Sequence, residues 1–310
     1  MTKKILITGA NGFVGSNLSN YLTNKGFKVL RVQRKRSENS VFVPKCDKTT
    51  DWSKALKDVN TVIHCAAIVH QSKNLTFDSY YSVNVQGTES LINQAVEAGV
   101  KNIIFFSTIK VNGENTCLLH PFKDDSNDKP NDYYGISKLF AENTLKLISQ
   151  KEGINYVIIR PGLIYGPGVS ANFYNLIKLV DSGIPLPFGD IRNKRSFLFI
   201  DNLGEFIFKL IDQNAFNNKV FLLADPKPIS FSKLINLIYS GLNKRNRNFN
   251  LPVRIIYLFF YLFRLNNLSS RLIGSLVIDS SKAYKDLNFE PPFSTDYGIK
   301  KTVKWYLNQN

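Results

Sequence analysis

The hydrophobic residues of the first 165 positions form short aliphatic runs, and these runs alternate with segments of helical periodicity. The runs lie at residues 4–8 (KILIT), 28–32 (KVLRV), 61–66 (TVIHCA), 102–107 (NIIFFS) and 155–160 (NYVIIR). Helical patterns start at residue 13 and recur near 51–58, 78–98 and 133–150. Strands that alternate with helices predict a parallel sheet with helices on both faces, which is a doubly wound α/β fold.

The first predicted strand ends in a glycine-rich turn that leads into the first predicted helix. This turn, "LITGANGFVGSNL", contains Gly9, Gly12 and Gly15. Gly9 permits a tight turn, Gly12 lets the backbone approach a pyrophosphate, and Gly15 allows close packing of helix against strand. The phosphates would lie at the positive end of the helix. In this position the motif predicts a Rossmann domain that binds a dinucleotide.

The alternating pattern weakens after residue 165. The stretch "SFLFIDNLGEFIFKLI" at 196–211 predicts one more strand and helix that return to the sheet. We therefore expect a dinucleotide-binding domain over residues 1–165, completed by about 194–220. Residues 166–193 and 221–310 are expected to form a smaller, mostly helical portion that binds substrate.

The most apolar segment is "IIYLFFYLF" at 255–263, which has about half the length needed to span a bilayer. The pattern favours a buried helix or a helix at a subunit interface. A helix that lies on a membrane surface is the alternative, because "NKRNR" precedes the segment and Arg271 follows it.

The chain has 310 residues, of which 44% are hydrophobic, so it can bury a large core. Its net charge of +16 indicates an anionic partner such as a nucleotide, a phosphorylated substrate, nucleic acid or an anionic membrane. No nucleic-acid motif is present, so we expect no nucleic-acid partner. The three cysteines form no CxxC pair and indicate neither a disulfide framework nor a metal site. Together with the lack of a signal-peptide pattern, this favours a cytoplasmic protein.

The end of the second predicted strand bears on the choice of dinucleotide. An enzyme that binds the 2′-hydroxyl of NAD usually has a carboxylate here, whereas this chain has Gln33 followed by Arg34 and Arg36. A guanidinium suits a 2′-phosphate, so the sequence leans toward NADP(H) over NAD(H). Asp47 could reach the adenine ring, or it could be a turn residue.

The segment "NDYYGISKLFAEN" at 131–143 places a tyrosine and a lysine on one face of a predicted helix. Tyr134 and Lys138 are four residues apart, so a phenol and an ammonium group can interact there. Taken alone, such a pair is more often an ordinary surface feature. Its interpretation depends on the motifs around it.

Those motifs together resemble the extended short-chain dehydrogenase/reductases, and in particular the branch of UDP-sugar 4-epimerases and 4-ketoreductases. The glycine turn is followed in order by "HCAA" (64–67), "VNVQGT" (83–88), "FFSTIKVNG" (105–113), "YYGISK" (133–138) and "RPGLIYGPG" (160–168). The resemblance implies that Tyr134 is the catalytic acid/base, that Lys138 lowers its pKa and holds the nicotinamide ribose, and that Thr108 binds the reacting sugar oxygen. It implies that Asn84 supports the site. The residues expected at the cofactor are Gly9, Asn11, Gly12, Phe13, Val14, Gly15, Arg34, Arg36, Asp47, Ala66, Ala67, Asn84, Lys138 and Pro161.

One departure from the family narrows the reaction. The 4,6-dehydratases of this family have an Asp-Glu pair after the catalytic threonine, whereas this chain has Ile109 and Lys110. A dehydratase is therefore not expected. Lys110 could contact a sugar substituent or a phosphate, or it could be simply exposed. The other residues expected at the substrate are Asn172, Arg195 and Arg271, the arginines because a guanidinium matches a diphosphate.

The resemblance implies hydride transfer at C4 of a UDP-linked hexose, expected to be a UDP-N-acetylhexosamine used for surface polysaccharide such as O-antigen. The lean toward NADPH slightly favours a 4-ketoreductase over a 4-epimerase. A sugar linked to polyprenyl diphosphate is a further alternative, with contact to a membrane surface, and a non-catalytic dinucleotide-binding module is another. Relatives often dimerise through helices equivalent to those near 78–98 and 133–150, so a homodimer is expected.

Overall fold

The computed structural model describes residues 3–34, 40–69, 75–117, 120–263 and 266–309. Arg36 lies outside these residues. The backbone at Arg271 is described, but its side chain is not.

The centre of the structure is a parallel sheet of seven strands in the order β3-β2-β1-β4-β5-β6-β9. Its strands are β1 (Lys4–Thr8), β2 (Lys28–Gln33), β3 (Ser40–Phe42), β4 (Thr61–His64), β5 (Asn102–Phe106), β6 (Asn155–Pro161) and β9 (Lys219–Leu223). A separate pair of parallel strands consists of β7 (Leu163–Tyr165) and β8 (Phe197–Phe199). The order reverses between β1 and β4, which is the position where doubly wound sheets bind ligands.

Helices cover both faces of the sheet, as predicted. They are α1 (Phe13–Asn24), α2 (Ser53–Leu56), α3 (Phe77–Tyr80), α4 (Gly87–Glu97), α5 (Tyr133–Glu152), α6 (Ala171–Asp181), α7 (Ile200–Asp212), α8 (Phe231–Gly241), α9 (Val253–Leu262), α10 (Asn266–Ile273), α11 (Ser281–Asp286) and α12 (Thr295–Leu307). Alternate residues of the central strands face two cores. One core contains Ile5, Ile7 and Ile63, and the other contains Leu6 and Val62.

The predicted doubly wound fold is confirmed, but the last strand of the sheet was assigned wrongly. The strand predicted within the stretch 196–211 forms β8, which pairs with β7 outside the main sheet. The seventh strand of the main sheet is β9, which pairs with β6. Both segments are short, buried apolar runs, and hydrophobic periodicity does not reveal which strand such a run will pair with. The residue limits proposed for the two portions stay a prediction.

The helix predicted over 78–98 contains a wider turn. A π-helical turn, Tyr81–Gln86, joins α3 to α4. Such turns are rare and are frequently found at functional sites. This one places the buried Asn84 beneath the loop that follows β4.

The apolar helix predicted at 255–263 is formed as α9, but it is not buried. Ile256 and Phe260 face the core, and the other apolar side chains of its outer surface are exposed. Within the described ranges, no helix is both long enough and apolar enough to cross a membrane.

Candidate active site

The glycine turn after β1 has the close contacts expected of a dinucleotide-binding turn. Gly9 has a φ of +65°, and a Cβ atom there would lie 2.8 Å from the amide nitrogen of Ala66. A Cβ atom on Gly15 would lie 2.4 Å from the carbonyl oxygen of Gly9. These positions therefore exclude larger residues, because β1, the loop after β4 and α1 meet there.

Gly12 is the N-cap of α1 and has no side chain to cap the helix. The amide groups in the first turn of a helix lack intrahelical partners, and the helix dipole makes this end positive. Phe13 and Val14 follow in that turn and pack against the core, while Asn11 is exposed beside it. This end of α1 therefore fits a pyrophosphate, and the residues predicted to hold it are adjacent in space.

Arg34 and Asp47 lie on the side of the turn where an adenosine ribose would bind. Arg34 is exposed at the end of β2, and its charge acts on the thiol of Cys46, which places it near the 46–47 turn. The Asp47 carboxylate accepts hydrogen bonds from the amide and hydroxyl groups of Thr49 at 2.9 and 2.7 Å. These bonds hold the pKa of Asp47 at about 2. Asp47 therefore acts as a turn residue, and its contact with adenine stays a prediction.

Asn84 connects the loop after β4 with the catalytic helix. Its Oδ1 accepts a hydrogen bond from the amide of Ile68 at 2.8 Å, and its Nδ2 donates to the Ile68 carbonyl and to Ser137 Oγ, both at 3.0 Å. The same loop is held to β1, because the Ala66 amide donates to Thr8 Oγ1 at 3.2 Å. Asn84 thus links the loop to helix α5, and its supporting role in the site stays a prediction.

Thr108 and Tyr134 are brought together, as predicted. Thr108 follows β5 and is the N-cap of a short 3₁₀ helix, Ile109–Val111, where its Oγ1 accepts a hydrogen bond from the amide of Lys110 at 3.3 Å. Tyr134 lies in the first turn of α5, near enough to the Thr108 side chain for that side chain to lower its pKa. A hydroxyl and a phenol placed close together can pass a proton from one to the other.

The pKa of Tyr134 is raised by its surroundings in the protein, and the prediction that Lys138 and an oxidised nicotinamide ring would together stabilise the phenolate stays a prediction. Burial is the main cause, and the nearby charge of Asp132 acts in the same direction. The nearby Thr108 side chain lowers this pKa and so partly opposes both effects. The protein alone therefore keeps the phenol protonated, and formation of the phenolate requires additional positive charge in the site.

Lys138 is almost completely buried one helical turn after Tyr134. Burial lowers its pKa to about 7, while the charge of Glu142 favours the ammonium form. Its Nζ lies 3.8 Å from the centre of the Phe105 ring, an arrangement that stabilises a cation. Lys138 is therefore poised to change its charge near neutral pH.

A buried ion pair behind α5 was not predicted from the sequence. Glu142 accepts hydrogen bonds from Arg160 Nε at 2.9 Å and from Arg160 Nη2 at 2.6 Å, and Ser107 also donates to it. The Arg160 guanidinium also donates to Asn112 at 3.1 Å. This network joins α5, β6 and the loop after β5. The sequence signal that could have indicated it is an acidic residue, Glu142, eight positions after Tyr134 on the buried face of the same helix.

Lys110 has a role that the sequence did not indicate. It pairs with Glu114 at 2.7 Å and with Asp132, which is the N-cap of α5 and accepts a hydrogen bond from the Gly135 amide at 2.7 Å. The pair links the loop that carries Thr108 to the helix that carries Tyr134. Direct contact of Lys110 with substrate stays a prediction.

Pro161 lies at the carboxyl end of β6, whereas the other predicted substrate residues lie outside the main sheet. Pro161 is buried at the end of β6, and Ala67 lies in the loop after β4. Asn172 is exposed in the first turn of α6. Arg195 Nη1 donates to the Gly274 carbonyl at 3.0 Å, and Arg271 precedes that glycine in α10. Contact of these residues with a substrate is not tested by the structure.

The fold and the Thr-Tyr-Lys arrangement define a short-chain dehydrogenase/reductase of the extended type. A family model for the NAD dependent epimerase/dehydratase family matches residues 5–224. The chain is 39% identical to a UDP-glucose 4-epimerase of Vibrio cholerae, with 100% of this chain and 97% of the relative covered. The chain therefore belongs to the NAD dependent epimerase/dehydratase family.

Two further proteins are similar over nearly their whole length. An N-acetyl-alpha-D-glucosaminyl-diphospho-ditrans,octacis-undecaprenol 4-epimerase of Escherichia coli O157:H7 is 28% identical, with 98% of this chain and 96% of the relative covered. The crystal structure of a UDP-glucuronic acid 4-epimerase from Bacillus cereus in complex with NAD superposes with a TM-score of 0.80 at 23% identity, and covers 99% of both chains. The latter likeness supports the fold.

Proposed function

We propose that this protein is a 4-epimerase that inverts C4 of a UDP-linked hexose and uses NAD. The observation that carries this proposal is that Tyr134 lies near Thr108, with Lys138 one turn further along α5. The match to a UDP-glucose 4-epimerase over the whole chain supports the same reaction. The slight preference of the sequence for a 4-ketoreductase rested on Arg34 and Arg36, and no other observation favours it.

In this proposal the chain moves a proton while the cofactor stores a hydride. NAD, if bound here, would supply the hydride chemistry at C4. Thr108 would bind the C4 oxygen, and Tyr134 would take its proton and later give it back. The ammonium of Lys138 would stabilise the phenolate and orient the ribose. Glycines 9, 12 and 15 would hold the pyrophosphate at the end of α1.

The sugar is proposed to be a UDP-N-acetylhexosamine or a UDP-hexose, for use in surface polysaccharide. Arg195, Arg271 and Asn172 are proposed to hold the diphosphate end, with Lys110 close to the sugar. A sugar carried on polyprenyl diphosphate is the second candidate, and the similarity to the E. coli undecaprenol-linked 4-epimerase favours it. The three cysteines are free thiols, which is compatible with the reducing cytoplasm expected from the sequence.

The first test is to release the bound cofactor by denaturation and identify it by mass spectrometry. An epimerase that recycles its hydride should retain NAD through purification. The protein is then incubated with UDP-glucose or UDP-N-acetylglucosamine, and the C4 epimers are separated by chromatography. Stoichiometric consumption of NADPH by a 4-ketosugar, without epimer formation, would instead establish the ketoreductase. Cofactor binding without turnover on any of these sugars would support the non-catalytic module.

We also propose a homodimer formed through α5 and the helix over 77–97. Tyr133, Phe140 and Leu147 recur at intervals of seven on α5 and are exposed. Phe77 and Tyr81 pack their rings against Phe140, at 6.3 Å between ring centres in each case. Residues seven apart share one helical face, so this cluster can form an antiparallel helix interface. Light scattering of wild type and of Leu147→Glu tests it, because a charge in that face should produce monomers.

A further inference from the structure

Helix α9 exposes far more apolar surface than helices of globular proteins usually do. Its exposed apolar side chains are Ile255, Tyr257, Leu258, Phe259, Tyr261 and Leu262, with exposed fractions between 48% and 70%. Isolated exposed apolar residues are common, but contiguous apolar patches mark interaction sites. Six such residues within one ten-residue helix form a contiguous patch, which we call the α9 patch.

The α9 patch surrounds most of its helix. Ile256 and Phe260, one turn apart, form a narrow stripe that faces the protein. At 100° per residue, Leu258 and Leu262 lie on the opposite side, farthest from the core. Tyr257 flanks these leucines on one side. A second protein chain would cover one face of such a helix, whereas a bilayer surrounds all of its outer surface.

The dimensions of α9 are those of a helix that lies in the plane of a membrane interface. Ten residues extend about 15 Å, half the thickness of the hydrocarbon core. Tyr257 and Tyr261 share a flank, and tyrosine is enriched where the apolar part of a bilayer meets the headgroups. The leucines would enter the acyl boundary while the tyrosine hydroxyl groups stay near water.

The charge around the patch indicates an anionic surface. Residues 226–278 contain eight lysines and arginines and no aspartate or glutamate. Arg245, eight residues before the start of α9, and Arg254, within α9, are both exposed. Arg247 is exposed as well, although its guanidinium donates to the Gly183 carbonyl at 2.9 Å. Basic residues beside an amphipathic helix strengthen its attachment to anionic lipids.

The chain continues from α9 to the predicted diphosphate side of the active site. After α10, the Gly274 carbonyl accepts hydrogen bonds from Arg195 and from Asn193 Nδ2, the latter at 2.8 Å. The next residue, Ser275, accepts a hydrogen bond from the Thr116 amide at 2.8 Å, in the loop that follows Thr108 and Lys110. Docking of α9 would therefore bring a membrane to the segment that borders this rim of the site.

From these observations we propose that the α9 patch docks this enzyme on an anionic lipid bilayer, with the helix parallel to the membrane plane. This goes beyond the proposed reaction, because docking is independent of which sugar is epimerised.

The test is sedimentation with vesicles of phosphatidylcholine mixed with phosphatidylglycerol, compared with phosphatidylcholine alone. Wild type should sediment with the mixed vesicles. The double variant Leu258→Glu/Leu262→Glu should have an affinity for the mixed vesicles reduced by about tenfold or more, because two carboxylates would enter the acyl boundary. Arg245→Ala/Arg254→Ala should weaken binding to the mixed vesicles about fivefold or more. The control is Leu307→Glu on α12, an exposed leucine outside the patch, which should bind as wild type does.

Equal sedimentation of wild type and the double variant would overturn the proposal. Wild type that stays in the supernatant would overturn it too. If light scattering also showed that wild type is an oligomer and that the double variant is a monomer, the patch would be an interface with a second copy of the chain. Turnover of soluble UDP-sugar is measured on the same preparations without lipid. That assay reports on the proposed reaction and on folding separately from docking.

Discussion

Glu142 lies one helical turn after Lys138 and is held in a buried ion pair by Arg160, with Nη2 and Oε2 2.6 Å apart. The charge of this carboxylate raises the pKa of Lys138, which burial lowers to about 7. The ion pair therefore helps to keep Lys138 charged.

Glu142→Gln should make Lys138 lose its proton at lower pH, because the amide keeps the shape but removes the charge. We expect the alkaline limb of the kcat/KM profile to move down by about one pH unit. The free energy of unfolding should fall by about 3 kcal/mol, since Arg160 loses a buried partner. Both are measured, by kinetics across pH and by urea denaturation. Lys146→Gln, which removes a more distant charge 3.8 Å from Glu142, is the control and should leave the limb in place.

Lys110→Met should raise the pKa of Tyr134, because Asp132 would lose the cation that neutralises it. We expect the acid limb of kcat/KM to move toward higher pH by about half a unit or more. Glu114→Gln removes the other partner of Lys110 and should leave that limb unchanged. An increase in KM with an unchanged pH profile would instead indicate that Lys110 contacts substrate.

Tyr134→Phe should reduce kcat by about a thousandfold while cofactor binding is retained, because only the proton-transfer group is removed. Tyr133→Phe is a matched control, since Tyr133 is the neighbouring residue and its side chain is 52% exposed. Turnover and cofactor content are measured for both variants. Activity of Tyr134→Phe comparable to wild type would refute the assignment of the acid/base.

Gly12→Ala and Gly15→Ala should separate cofactor binding from stability. A Cβ atom at Gly15 would collide with the Gly9 carbonyl, so we expect the free energy of unfolding to fall by about 2 kcal/mol or more. A Cβ atom at Gly12 would lie 3.3 Å from its nearest neighbour, the Gly9 carbonyl oxygen, so the free energy of unfolding should change by less than about 1 kcal/mol. Affinity for NAD should nevertheless fall in Gly12→Ala, because the methyl group occupies the approach of the pyrophosphate. Equal loss of stability in both variants would contradict this division.

Asp225→Asn should remove a pH dependence of stability. Burial raises the pKa of Asp225 to about 6, although Asn202 donates a hydrogen bond to it at 2.8 Å. Between about pH 4 and pH 6 the folded state keeps a proton that the unfolded state has lost, so this contribution to stability falls as pH rises. The buried His64, with a pKa lowered to about 3, acts in the opposite direction but is present in both proteins.

The measurement is therefore the difference in unfolding free energy between wild type and Asp225→Asn, by urea denaturation at several pH values. Relative to Asp225→Asn, wild type should lose about 2 to 3 kcal/mol of unfolding free energy between pH 4 and pH 7. A difference that is constant with pH would show that Asp225 has an ordinary pKa in the folded protein.

The sequence predicted the features that depend on local spacing. The glycine turn, the helix that carries Tyr134 and Lys138, and five strands of the sheet (β1, β2, β4, β5 and β6) each have a pattern within one segment. The pair of Glu142 and Arg160 could not be predicted in this way, because it depends on which faces of α5 and β6 meet. For the same reason β8 was assigned to the wrong sheet: strand pairing is decided by tertiary contacts.

The π-helical turn at Tyr81–Gln86 has a consequence for the length of this part of the chain. A π turn contains one residue more than an α turn, so loss of one residue would let the segment wind as a continuous α-helix. Side chains before the deletion would then rotate by about 100° relative to those after it. Asn84 could no longer face Ile68 and Ser137 while Thr88 keeps its contact with His64 at 2.9 Å. The number of residues between α3 and α4 is thus as important to the site as their identity.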